Sequence, residues 1–363
     1  SSGTISVPVA SSSQTGLVRA DGTSITINSS GGISITRNFT TGLSVSGTVV
    51  MSSPYTFRNR LINGNFLYWQ RGTTTSTTGT YLADRWIATN ISTQLQSTDT
   101  PRAEFPYSIE FGNTVATYPF IAQRLETPYA ASLVSSDLTI SFWAKNTSGN
   151  ATLYVELAYP QTTSVYTSTM INTGLSSPML ANPPTVSSWS FYTYTWSSAL
   201  LTTAFAQGLE VRIVRDNSAP STTRVTGVQL ESGGANTPFE HINPQQQLAL
   251  CQRYFQVLIP KATDNGILVM RSATTSCEFP LFLPVNLRAR PVISVDVTGM
   301  RLVGYDTNFN LSVVNGTAIS QYTFPQGNLL DIILTHGSLA GTYVHSSVDT
   351  LSCSTDFTAS AEL

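Results

Sequence analysis

Residues 138–145 read Leu-Thr-Ile-Ser-Phe-Trp-Ala-Lys, with apolar and polar side chains alternating. A period of two is what a β-strand with one buried face requires, whereas the faces of a helix repeat every 3.6 residues. Residues 151–157, 189–196 and 209–214 alternate in the same way. Turn formers such as Asn146-Thr147-Ser148-Gly149-Asn150 and Asp216-Asn217-Ser218-Ala219-Pro220 lie between them. Short strands without helical periodicity predict an antiparallel sandwich over residues 57–242. At its end Asn243 suits an N-cap, Pro244 suits the first helical position, and Leu248, Cys251 and Phe255 fall at helical spacing. A linking helix of about 10 residues is therefore expected within 243–256.

The flanking segments are also strand-like, so the whole chain is expected to be all-β apart from this helix. In residues 1–56 the triplets Ile5-Ser6-Val7, Ile25-Thr26-Ile27, Ile33-Ser34-Ile35 and Leu43-Ser44-Val45 are punctuated by glycines. Each triplet offers only two apolar side chains on one face, too little for so short a segment to close a core alone. An intertwined β-shaft, in which three chains share one core and hide their strand edges, solves both problems; a flexible Ser/Gly linker is the alternative. Residues 257–363 return to strands at 266–271, 278–283, 291–297 and 329–334, and a second β-sandwich domain is expected there.

Composition narrows the partners. Only 10% of residues are charged, against about a quarter in an ordinary soluble domain. The net charge is −2 with no basic run, so the clustered cations needed to displace counterions from nucleic acid are missing. No apolar stretch approaches the roughly 20 residues that span a bilayer, and membrane insertion is not expected. Cys251, Cys277 and Cys353 are odd in number and widely spaced, which predicts free thiols and folding in a reducing cytoplasm. The start at Ser1, without Met or a leader, suggests a trimmed or partial N-terminus.

Seven phrases occur in a fixed order. They are Asn59-Arg60-Leu61-Ile62-Asn63-Gly64-Asn65-Phe66, Tyr68-Trp69-Gln70-Arg71-Gly72, Tyr81-Leu82-Ala83-Asp84-Arg85-Trp86, the 138–145 strand, Val228-Gln229-Leu230-Glu231, Thr237-Pro238-Phe239-Glu240-His241 and Leu248-Ala249-Leu250-Cys251-Gln252-Arg253-Tyr254-Phe255. The stretch they mark spans about 200 of the 363 residues, and their order resembles a module near the distal end of bacteriophage tail fibres. The resemblance implies a jelly roll of the carbohydrate-binding-module type in a homotrimeric fibre. It also implies assembly in the host cytoplasm, location in the virion, and contact with other virion tail proteins through the N-terminal end. The expected function is attachment to a host cell-surface glycan without catalysis. A purely structural head fibre or tail scaffold, and a capsule depolymerase, are the competing readings.

Catalytic and metal motifs are missing from the sequence. His241, His336 and His345 stand apart, no Cys/His cluster suggests zinc, and no loop has the Asp density for calcium. Neither a metal nor a cofactor is expected. Glycoside cleavage needs two carboxylates about 5–10 Å apart; Asp84, Glu104, Glu110, Glu126, Glu156, Glu210 and Glu231 are the available pool. Asp84, Arg85, Trp86, Trp143 and Glu231 are read as architecture: Trp86 and Trp143 in the core, Asp84 and Arg85 paired locally. Sugar rings stack on exposed aromatics, and the candidates are Trp189, Tyr192, Tyr194, Tyr107 and Tyr118, with Tyr129, Tyr159 and Tyr166 behind them. By alternation Trp189 and Phe191 share one face of their strand, and Tyr192, Tyr194 and Trp196 share the other. Only one of these sets can be exposed. The shared-core shaft predicts a native mass near three times 39.1 kDa by light scattering on a sizing column; a clean monomer would remove the shaft argument.

Overall fold

The computed structural model describes residues 25–27, 33–35, 57–114, 117–148, 151–172, 177–178, 188–216, 220–259, 262–273, 276–289, 291–294, 300–305, 311–323, 329–336, 349–353 and 357–362. The chain divides into two compact units, Ser1–Pro54 and Tyr55–Leu363. In the first, Ile25–Ile27 and Ile33–Ile35 pair antiparallel, with Ile25 opposite Ile35 and Ile27 opposite Ile33. The triplets at Ile5 and Leu43 lie outside the described residues.

Eight strands form the sandwich of the second unit. They are β1 (Ser108–Asn113), β2 (Phe120–Leu125), β3 (Leu138–Ser148), β4 (Leu153–Thr162), β5 (Val165–Asn172), β6 (Ser190–Trp196), β7 (Leu209–Arg215) and β8 (Ser221–Ser232). One sheet runs β6-β3-β8-β1 and the other β5-β4-β7-β2. Except for β4 and β5, successive strands lie in alternate sheets, and every neighbouring pair is antiparallel. That order is the double Greek key of a jelly roll. Thr93–Ser97 and Thr74–Thr75 extend the first sheet beyond β1; Ile87–Thr89 and Thr80–Tyr81 extend the second beyond β2.

The period of two sorts the side chains as the pleat demands. Leu138, Ile140, Phe142 and Ala144 of β3 turn inward with Tyr192 and Trp196 of β6, and Val155, Leu157, Val211 and Ile213 meet them from the other sheet. Trp86 is fully buried in the same core and donates its indole N–H to the Asn63 carbonyl at 3.1 Å. On β8, Thr226 lies opposite Trp143 and Gln229 opposite Ser141. Gly227 and Val228 therefore share one place across from Phe142, which makes a β-bulge, and Gly227 adopts φ +65°. The segment before the sandwich docks there. Val228 N–H donates to Gly64 O at 2.9 Å, Asn59 Nδ2 donates to Val228 O at 3.0 Å, and Asn59 Oδ1 accepts from the N–H groups of Leu61 and Leu230.

The linking helix runs Pro244–Gln252, capped by Asn243, whose side chain accepts from Gln245 N–H at 2.9 Å. It stops short of Phe255. That residue opens the strand Phe255–Ile259, which pairs with Phe357–Ser360, itself paired with Val292–Ser294. Sheet pairing thus takes the third residue that the helical spacing had offered. The remaining C-terminal strands are all-β as expected but do not stack as a second sandwich. Ala262–Ala273, Ser276–Phe282, Leu329–His336, Leu311–Thr323, Met300–Tyr305 and Asp349–Cys353 close in that order into a six-stranded barrel. Alternation tells which residues share a face of a strand, not whether the sheet closes on itself, and closure removes the edges.

Replacing Gly64 by Ala would drive a Cβ into the Val228 carbonyl oxygen, a backbone atom that holds a bulge and cannot swing aside. We expect Gly64→Ala to lose about 3 kcal/mol or more by denaturant titration, in the range of overpacked core sites. A loss under ~0.5 kcal/mol, the size of an ordinary surface substitution, would show that the 59–66 docking does not matter to the fold.

Candidate functional site

The residues of β3 that do not face the core, Thr139, Ser141, Trp143 and Lys145, lie on the outer face of the first sheet. Near Glu231 that face is covered. Glu231 accepts from Thr237 N–H at 2.8 Å and Thr237 Oγ1 at 2.7 Å, while Gln229 accepts from Glu240 N–H at 2.8 Å. Further along, the cover ends. Trp143 lies opposite Phe191 in the β3–β6 ladder, their ring centroids 5.3 Å apart, and Phe191 is 44% exposed. The Arg102 guanidinium lies 5.2 Å from the Trp143 ring centroid and the Lys145 ammonium 5.5 Å from that of Trp189.

A charged cluster borders these rings. The Trp189 indole N–H donates to Asp99 at 3.0 Å, and Lys145 and Arg224 both pair with the same carboxylate. Arg224 reaches on to Glu110 at 2.8 Å. Partial burial pushes the Asp99 carboxyl up, but hydrogen bonds from Lys145 and Trp189 and the charges of Lys145 and Arg224 outweigh it and leave the group below the ordinary range. The arrangement offers what a pyranose needs: an apolar ring surface for its C–H face, with charged donors and acceptors at the border for its hydroxyls. Among the described residues no group of three His, Cys, Asp or Glu side chains is placed to hold a metal ion, and no helix is long and apolar enough to cross a membrane.

The structure separates the sequence candidates. Trp189 stands half-buried at this surface. Tyr192 is buried, and Tyr194 packs against the core with its ring 5.2 Å from that of Trp196, so the inner face of β6 takes both away from solvent. Tyr107 also packs against the core, and Tyr118 is 55% exposed. Tyr129 is exposed, Tyr159 partly buried, and Tyr166 buried with its hydroxyl on Leu125 O. Trp143 itself corrects our reading, because it lies outside the core. Its alternation partners, Thr139, Ser141 and Lys145, are polar, and that pattern already placed it on the outer face. Asp99, Arg102 and Arg224 carried no sequence signal; the fold brings them from a loop and a neighbouring strand.

Asp84 and Arg85 are buried as architecture but do not pair with each other. Arg85 is ion-paired with Glu362, while Asp84 accepts from Gln70 Nε2 at 2.6 Å and lies 3.6 Å from Arg71. Burial raises the Asp84 carboxyl, with the Gln70 hydrogen bonds and the Arg71 charge opposing the rise.

Neither a family model nor a curated protein sequence matches the chain. Solved structures resemble about half of it. A family 22 carbohydrate binding module of Clostridium thermocellum Xyn10B is 14% identical with a TM-score of 0.30, over 49% of this chain and 99% of that one. The CBM22-1 xylan-binding domain of Paenibacillus barcinonensis Xyn10C is 10% identical with a TM-score of 0.30, over 45% and 94%. The enzymatically active domain of tailspike protein 4 from bacteriophage CBA120 is 16% identical with a TM-score of 0.31, over 48% of this chain and 21% of that one.

Because the folded pKa of Asp99 is depressed, its cluster stabilises the fold above the unfolded value and loses that contribution as pH falls through the lowered one. Carboxyl-carbon NMR should place the Asp99 midpoint below the free value of about 3.9, and Lys145→Met should move it upward. A wild-type midpoint at or above the free value would show that the cluster does not form in solution.

Proposed function

We propose that this chain is a virion appendage, a tail-fibre protein that attaches a bacteriophage to a glycan on its host cell without catalysis. The observation that carries the glycan reading is the Trp143–Phe191 pair. It is an aromatic surface left open on the outer face of a jelly roll, beside Arg102 and the Asp99 cluster. The viral part of the reading rests on the ordered phrases from Asn59 to Phe255. In this reading the protein is a homotrimer, assembled in the host cytoplasm and joined to other tail proteins through its N-terminal end. Three copies turn weak single-site contacts into firm adhesion.

The carboxylate geometry favours binding over hydrolysis. Glycoside cleavage needs one carboxyl that gives up a proton and a second that is free to act as base or nucleophile. Here Glu110 and Asp99 both accept from Arg224, and Glu156 and Glu210 are both held by Arg212. An arginine stands where a scissile bond would have to lie between them.

The test is a bacterial-polysaccharide array probed with wild type and with Phe191→Ala, a substitution at an exposed ring that leaves the core intact. We expect wild type to bind at least one glycan and the variant to lose about tenfold, roughly 1.4 kcal/mol, at an unchanged melting temperature. Equal binding by the two proteins would remove the outer face from the function, and no binding by wild type would favour a scaffold.

A further inference from the structure

The border of the Trp143–Phe191 surface is balanced in charge. Its cations are Arg102, Lys145 and Arg224, and each has a carboxylate beside it. Glu104 lies 3.6 Å from Arg102, Asp99 takes both Lys145 and Arg224, and Glu110 takes Arg224 at 2.8 Å. Three positive groups thus stand with three negative ones, and their formal sum is zero. A patch of one sign draws ligands of the other. This border draws neither.

The hydrogen-bonding capacity left over is mixed as well. Arg224 reaches its two carboxylates through Nε and Nη1, which leaves Nη2 as a donor. The Lys145 ammonium has protons beyond the one it gives Asp99. Among the described residues Asp99 receives three hydrogen bonds and Glu110 two, against about four lone-pair sites on each carboxylate. Spare donors and spare acceptors therefore lie side by side. A sugar hydroxyl donates and accepts at once and can use both kinds. An ionised carboxylate or a phosphate on the sugar only accepts, so Asp99 and Glu110 repel it where Lys145 and Arg224 attract it. An ammonium group only donates and meets the opposite conflict.

We propose that the outer face takes an uncharged pyranose and discriminates against sugars that carry a carboxylate, phosphate or ammonium group. The inference rests on the glycan reading and adds the charge of the ligand to it. The test sets uncharged polysaccharides on an array beside their own C6-oxidised forms, in which hydroxymethyl groups have become carboxylates. The full chain should bind at least one uncharged polymer about tenfold more tightly than its oxidised form. That binding should change less than about twofold between about 0.01 M and 0.1 M salt, across which the screening length falls from about 30 to 10 Å. Arg102 and Glu104 are 59% and 44% exposed, so Glu104→Gln should leave the melting temperature unchanged. It strips Arg102 of its carboxylate and should narrow the gap between the two forms to about threefold. Equal or tighter binding of the oxidised forms, a severalfold loss on adding salt, or a ratio that Glu104→Gln does not move would overturn the inference and leave the glycan reading standing. Silence from every polysaccharide would remove both.

Discussion

A guanidinium that cannot reach water must find its compensation inside the protein, and the ends of the second unit are tied together by what Arg85 finds. Its side chain is 1% exposed. Glu362 pairs with it, the Arg124 carbonyl accepts from it at 2.6 Å, and the Tyr254 ring lies 3.4 Å from its central carbon. Burial works against the charge, yet Glu362, with Tyr254 and Tyr81 near by, holds the guanidinium above its ordinary range. Glu362 also binds Arg71 at 3.0 Å, and Arg71 in turn lies over the Phe255 ring at 3.6 Å. A buried charge left alone costs several kcal/mol. The Tyr-Leu-Ala-Asp-Arg-Trp turn, the end of the linking helix and the strand Phe357–Ser360 that precedes Glu362 must therefore assemble together.

The same necessity explains why the ordered phrases are rich in Asn, Gln and Glu yet buried. Asn63 accepts from Tyr68 N–H and Gln247 Nε2 and donates to the carbonyls of Tyr68 and Asp84. Gln123 trades both hydrogen bonds with the backbone of Ile62, and Glu240 accepts from the N–H groups of Phe57 and Asn59. Each of these amide and carboxylate side chains stands in for a missing strand, satisfying backbone groups where a loop crosses the sandwich. The phrases are spread along the sequence because they are halves of contacts. Asn59 needs the β8 bulge at Val228, Asn63 needs Gln247, and Arg85 needs a residue 277 positions away.

Local pattern and long-range contact divide what could be read beforehand. The β3 and β6 alternations named the faces that the structure builds, and Asn243-Pro244 marked the start of the linking helix. Phe255 misled because helical spacing continues past the point where pairing with Ser360 ends the helix. Trp143 misled for a different reason: a large aromatic was assigned inward by type, against its own polar alternation. Tyr192 and Tyr194 could have faced either way until the partner sheet was known. The Arg85–Glu362 pair, the Asp99 cluster and the barrel closure depend on registers between strands far apart in the chain, which no local window contains.

Scarcity of charge gives each charged residue more meaning here than in an ordinary surface. The carboxylates from Asp84 to Glu231 that might have served chemistry are each engaged: Glu104 with Arg102, Glu126 with Arg253, Glu210 with Arg124 and Arg212, and the rest as described above. A surface kept wet by Ser and Thr and close to neutral overall produces little long-range field to steer a partner. Encounter with a ligand is then governed by diffusion and local fit, and each contact by one or two rings and a few donors. Such contacts are individually weak, and firm adhesion through them needs several copies to engage together. In the proposed reading, the shared core expected of the N-terminal triplets and the multivalence that weak sandwich contacts would need are both met by one trimeric assembly.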